Sequence, residues 1–294
     1  MVETLKEFAA QHKIIIGACH AAPLEPSRLL ASPFVPFVSP NIKKRTDPAA
    51  SLRDVKSIIV IGVRMNGFVQ QPGDMHQPPG ILSSLGVDND YHACVKDLLH
   101  KLADELRHCH GDFKYKILVD SPSLDERALA QRGGLGFYGR NGLIISHKFG
   151  SRFNIGCLLT DIPLDMFQVG LSCCNDIESP DFQGCPPDCS LCVDACPGGA
   201  LGGGNLDVSR CISYLTQKQE LTPEESALVK GHLYGCDVCQ DVCPFNSHRE
   251  PIYINPQVWA DMDDDAFDRE YGHTAMLWRG AELLRRNARI ACAK

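Results

Sequence analysis

The chain has 294 residues, 44% of them hydrophobic, and a formal net charge of −7. That length supports one large or two modest domains with a real core, and no apolar run is long enough to span a bilayer. The acidic balance argues against holding a nucleic acid by global charge. It leaves only local patches for that, at Lys43-Lys44-Arg45, Lys148/Arg152 and Arg285-Arg286/Arg289.

The start, MVETLKEFAAQHK, carries no twin arginine and no apolar secretion segment, so a cytoplasmic location is expected. Residues 2–12 are predicted as a helix with Leu5 and Phe8 on one face, and 13–21 as a buried strand. A Pro/Ser-rich loop fills 22–50 and ends at KKRTDP. The β-branched run at 57–65 predicts a strand covered on both faces. Residues 66–87 are Gly/Pro-rich and read as a long loop. From 88 to 109, Tyr91, Val95, Leu98, Leu99, Leu102 and Leu106 recur at helical spacing.

A third strand, 114–120, ends at Asp120. Ser123 and Glu126 then fit a capping box that opens the next helix, which stops at Gly133-Gly134. Glycines 136, 139 and 142 punctuate a loop into strand 143–146, and 149–164 holds another strand. The alternation over 13–164 argues for an α/β layer. The tail 256–294 reads as helical.

Cysteine dominates 185–244. Of fifteen cysteines, Cys185, Cys189, Cys192 and Cys196 precede Pro197; Cys236, Cys239 and Cys243 precede Pro244; Cys211 lies between. Two cubic iron–sulfur clusters require eight thiolates, and two-cluster ferredoxins use a C-x2-C-x2-C-x3-C-P run whose last cysteine serves the other cluster. By that logic Cys185, Cys189, Cys192 and Cys243 hold one [4Fe-4S] cluster, and Cys196, Cys211, Cys236 and Cys239 the second. The first spacing is one residue longer than in the ferredoxin run, so Cys173 or Cys174 is an alternative to Cys185. Zinc sites are the rival reading, but the x3-C-P endings are not a zinc habit. Disulfides do not suit a chain that carries no secretion signal.

LVDSPSLDERALAQRGGLGFYGRNGLII, FGSRFNIGCLLTD, RCISYLTQ and YGCDVCQDVCPFN occur in that order. With KKRTDP, the SIIVIGV strand, DYH at 90–92 and the RRNARIA tail, the chain resembles the epoxyqueuosine reductase family over nearly its whole length. The resemblance is to a short form, without the C-terminal helical repeats that help many members grip tRNA. It implies an α+β architecture: a nitroreductase-like cobalamin-binding α/β domain at 1–168, a ferredoxin-like double-cluster module at 169–250 and a helical segment at 251–294. The implied reaction reduces the epoxide of epoxyqueuosine in tRNA to queuosine, with cobalamin and two [4Fe-4S] clusters fed by an external low-potential donor, and no membrane.

Opening an epoxide to an alkene requires two electrons and a proton for the leaving oxygen. The resemblance implies that the clusters deliver electrons to the corrin and that Asp120, in LVDSP, donates the proton. Asp120 also sits at the carboxyl end of a strand, where α/β sheets place chemistry. Its other reading is a cap on the following helix. Arg45, Asn141, Ile144, Ile155 and Ser213 match motifs that line the family's corrin pocket. His92 is a cobalt ligand or, more in keeping with the family, a hydrogen-bonding residue on a helix face. Two other functions fit part of the pattern. A related corrinoid reductase would act on an organohalide or another epoxide, and a ferredoxin-type carrier would hold clusters alone.

Overall fold

A computed structural model describes the chain except for residues 28, 30–36, 65–79, 88, 169–183, 203, 204 and 294. Its contacts form two compact units: Met1–Arg64 with His92–Cys189, and Met65–Tyr91 with Ser190–Lys294. The linear division at 168 and 250 differs from this in three places. Residues 184–189, with Cys185 and Cys189, group with the first unit, residues 80–91 group with the second, and the tail packs in that second unit.

The first unit is built on a four-stranded sheet, in the order Ile15–His20, Ser57–Arg64, Phe153–Thr160, Tyr115–Leu118. Every pair is antiparallel, with Val60 opposite both Gly17 and Cys157. The strand Ser57–Arg64 is buried on both faces, as its unbroken β-branched run predicts; Ile58, Ile59, Val60 and Ile61 are each 0% exposed. Burying such a side chain contributes about 1.5–3 kcal/mol relative to exposing it.

The helix Tyr91–His110 buries Val95, Leu99, Leu102, Ala103 and Leu106, one stripe at helical spacing. The helix Glu126–Arg132 lies against the first strand. There a Cβ on Gly17 would collide with the backbone oxygen of Gly133, so only glycine permits the approach. The helix does not open on the expected capping box. Asp125 is its N-cap, with Oδ1 accepting from the Ala128 N–H at 3.2 Å, which leaves the Glu126 carboxylate for another purpose.

In the second unit the segment read as a loop carries a strand, Gly80–Leu82, at the centre of a three-stranded sheet. It pairs in parallel with His232–Tyr234 and antiparallel with Ile252–Ile254. The helices Pro256–Asp261, Asp264–Tyr271 and Ala281–Cys292 cover it. Trp259, Phe267 and Tyr271 form an aromatic core with ring centroids 5.2–5.9 Å apart. Asn287, 1% exposed, donates from Nδ2 to the carbonyls of Thr216 and Leu233, both at 2.8 Å, and so ties the last helix to the sheet. Among the described residues no helix is long and apolar enough to cross a membrane.

Candidate active site and cluster-binding cysteines

Asp120 lies two residues past the strand Tyr115–Leu118, and its φ is +48°. That left-handed conformation is uncommon for any residue with a side chain, and aspartate is among those that tolerate it best. The turn lifts the carboxylate into solvent, where its side chain is 69% exposed, and brings Oδ2 to 3.6 Å from His92 Nε2. His92 stands in the first turn of the helix Tyr91–His110. The pair is a charge contact when the imidazole is protonated and too long for a direct hydrogen bond.

Beneath the turn lies Glu126, 9% exposed. Its Oε2 accepts from the Asp120 N–H at 2.9 Å and its Oε1 from the Ser121 N–H at 2.7 Å. Burial pushes the carboxyl from an ordinary 4.5 up to about 8. The Ser121 N–H opposes that rise, the Asp120 charge adds to it, the Asp120 N–H opposes it and the Asp125 charge adds to it. The folded chain therefore holds a proton on Glu126 over a range in which the unfolded chain releases it. The penalty for burying the charge is absent below about 4.5, grows as pH rises and is complete above about 8, where it is on the order of a few kcal/mol. Unfolding midpoints of the wild type are expected to fall with pH across that window. The Glu126→Gln variant should lack this component, and equal pH slopes in the two proteins would refute it.

Arg45 occupies the helix Ile42–Thr46 and reaches the same region, its carbonyl accepting from the Asp125 N–H at 3.0 Å. Burial lowers its pKa and the neighbouring Asp125 charge raises it. Arg127 donates to the Gly142 carbonyl at 3.0 Å, which ties the helix Glu126–Arg132 to the 139–142 turn. Gly142 has φ +76°, so the turn itself requires glycine there. Asn141 is 5% exposed; its Oδ1 accepts from Leu143 N–H, while its Nδ2 is buried without an acceptor among the described residues. A buried amide donor left open in this way suits a ligand oxygen. Ile144, 3% exposed, and the partly buried Ile155 join the hydrophobic cluster of Leu118, Leu129 and Cys157. Arg45, Asp120, Asn141, Ile144 and Ile155 all fall in the first unit; Ser213 belongs to the second, where its carbonyl accepts from Thr216 and Gln217 side chains.

The cysteines are free thiols among the described residues, and Cys173 and Cys174 lie outside them. In the second unit the short helices Leu191–Asp194 and Val238–Asp241 pack on each other, each carrying one cysteine of a run that ends in Cys-Pro. Burial pushes Cys236 up to about 12, with the charges of Cys211 and Cys196 adding to it. Burial likewise raises Cys239, with Cys236, Cys211 and Cys192 contributing, and raises Cys211, with Cys196 contributing against the N–H groups of Tyr214 and Ser213. Cys196 and Cys211 thus lie near Cys236, and Cys236 and Cys211 lie near Cys239.

Among the described residues no three His, Cys, Asp or Glu side chains converge on a position for a single metal ion. A cubane presents four separate iron corners and asks for wider spacing, and iron deprotonates thiols that burial would otherwise keep neutral. Two further sulfurs accept backbone N–H groups: Cys196 from Ala200 at 3.3 Å and Cys185 from Arg140 at 3.4 Å. Such bonds hold a thiolate and tune a cluster's potential.

The model for the 4Fe-4S double cluster binding domain matches residues 185–246, which include all eight proposed ligands. The model described as Epoxyqueuosine reductase QueG, DUF1730 matches residues 45–121, from Arg45 to just past Asp120. An epoxyqueuosine reductase of Lactococcus garvieae is 36% identical, over 85% of this chain and 72% of its own length. The chain belongs to the epoxyqueuosine reductase family. The Staphylococcus aureus enzyme of that family is 34% identical, over 87% of this chain and 68% of its own.

Solved structures of epoxyqueuosine reductases agree. One, with an epoxyqueuosine-modified tRNA-Tyr stem loop, superposes with a TM-score of 0.83 at 30% identity, covering 99% of this chain and 81% of that one. Another, from Bacillus subtilis with the aspartate catalytic loop swung out of the active site, gives 0.83 at 30% identity, over 99% of this chain and 82% of that one. Membership and the double-cluster domain make the chain an iron–sulfur reductase. The signal missed in the sequence is Glu126, whose carboxylate serves the Asp120 turn and not a helix cap.

Proposed function

We propose that this chain reduces the epoxide of epoxyqueuosine in tRNA to the alkene of queuosine, in the cytoplasm, with cobalamin and two [4Fe-4S] clusters. The observation that carries the reading is the Asp120 turn: an exposed carboxyl group, set on a left-handed residue at the end of a sheet strand, in a chain that matches an epoxyqueuosine reductase seen with its modified stem loop. The reaction consumes two electrons and two protons and releases the epoxide oxygen as water.

Asp120 delivers a proton to the departing oxygen, and His92, beside its Oδ2, is placed to resupply it from solvent. Cys185, Cys189, Cys192 and Cys243 hold one cluster and Cys196, Cys211, Cys236 and Cys239 the other. An external low-potential donor reduces them. When bound, cobalamin supplies the low-potential electron chemistry at carbon. Arg45, Asn141, Ile144, Ile155 and Ser213 are the residues assigned to hold it, and the open Nδ2 of Asn141 supports that assignment. Asn141→Ala is expected to weaken cobalamin retention by about tenfold, the worth of one buried hydrogen bond, with iron content unchanged. A titration of the apo-corrin protein with cobalamin checks this, and an unchanged Kd would remove Asn141 from the site.

The experiment for the reaction is anaerobic incubation of reduced protein with epoxyqueuosine-containing tRNA, followed by nucleoside mass spectrometry. Multiple turnovers to queuosine are expected. Conversion no faster than in the protein-free control would reject the tRNA substrate and move the search to organohalides and other epoxides.

A further inference from the structure

We propose that Glu126 is a positioning residue for proton delivery: its buried carboxyl group grips the backbone of Asp120 and Ser121 and fixes the turn that aims the Asp120 carboxyl group. The inference rests on the reading of Asp120 as the proton donor.

Three observations lead to it. First, Asp120 holds a left-handed conformation, φ +48°, at an exposed loop. A non-glycine residue persists there only when its surroundings over-determine it. Second, the surroundings are identifiable. Both oxygens of Glu126 are occupied by consecutive backbone N–H groups, at 2.9 Å from Asp120 and 2.7 Å from Ser121. The turn is tied further along by the Ser121 and Ser123 hydroxyls at 2.7 Å and by Ser39 N–H donating to the Pro122 carbonyl at 2.9 Å.

Third, the helix that Glu126 begins does not require it. Asp125 already caps that helix through the Ala128 N–H. A carboxyl group buried beside two other carboxylates is costly to keep, and its burial is accounted for by the turn it holds.

The chemistry of the grip is specific. Two N–H donors facing two oxygens suit a carboxyl group, both of whose oxygens carry lone pairs that can accept, the hydroxyl oxygen of the protonated form included. A glutamine has the same shape but sets an NH2 donor against one of the N–H groups. A shorter aspartate keeps the carboxyl group and loses the reach. Either change frees the turn without touching the exposed carboxyl group. A displacement of about 1 Å at a catalytic group costs on the order of 10²-fold in rate.

The test begins with the wild-type holoenzyme. Hydrogen exchange is expected to show the Asp120 and Ser121 amides protected although they lie in an exposed turn; exchange at the rate of an open loop would overturn the proposal. In Glu126→Gln and Glu126→Asp the same amides should exchange faster. For the tRNA, kcat should fall at least about tenfold, with KM within about twofold and with iron and cobalt content unchanged. Wild-type kcat in Glu126→Gln would overturn it, whatever the amides show.

Asp120→Asn is run in parallel to separate the two readings. Inactive Asp120→Asn with fully active Glu126→Gln sinks the positioning role alone. Fully active Asp120→Asn sinks the proton-donor reading, and with it the purpose of the grip, whatever the amides show.

Discussion

Asp120→Asn is expected to keep both clusters and bound cobalamin and to lose about 10²–10⁴-fold in kcat, the usual worth of a positioned general acid. The substitution suits the question because it changes little else. Asparagine tolerates the left-handed region as well as aspartate does, so the φ of +48° is not a reason for misfolding. The amide still offers a carbonyl oxygen toward His92, now 3.6 Å from Oδ2. The backbone N–H still meets Glu126. What disappears is a proton that the group can release and regain. Because that proton moves only in the transition state, kcat and kcat/KM should fall together. Absorbance spectra, iron and cobalt analysis and tRNA turnover on one preparation check all of this, and normal turnover would remove Asp120 as the acid.

Cys239→Ala is expected to remove one whole cluster, lowering iron from about eight to about four per chain. Cys239 sits on the short helix Val238–Asp241, partly buried, and its pKa is raised by that burial, with Cys236 and Cys211 adding to it. With those two and Cys196 it makes up the proposed second set. An alanine leaves three thiolates and an apolar wall where the fourth iron corner would be held. The first set contains none of these residues, so its cluster should survive and give the remaining absorbance and spin signal. Electron delivery should fail, since one relay of two is gone. Iron unchanged at about eight would break the pairing of cysteines proposed above.

These predictions draw on parts of the molecule that were unequally visible in the sequence. The strand at 57–64 was legible from its unbroken β-branched run and the helix at 91–110 from its apolar stripe at helical spacing. The cysteine runs were legible because cluster chemistry dictates local spacing and because proline ends each run. The strand Gly80–Leu82 was not, since its partners at 232–234 and 252–254 are about 150 and 170 residues away and its neighbourhood reads as loop. Alternation of helices and strands likewise gave the layer but not the direction of its strands, which proved antiparallel.

Glu126 is the most instructive error. Ser-x-x-Glu is a real helix-start pattern, and it concealed a carboxylate that turns back six residues to the Asp120 amide. No local pattern distinguishes the two uses of the same glutamate. His92 was read as a helix-face residue, and only the packing of its helix in the first unit brings it to Asp120.

The measurement that tests the account most directly is metal analysis of the protein purified anaerobically in the presence of cobalamin. About eight iron and one cobalt per chain, with the corrin retained through gel filtration, is the predicted result. Eight iron with no retained cobalt would contradict it: the chain would then be an electron carrier, and Asp120 a residue of a turn rather than a proton donor.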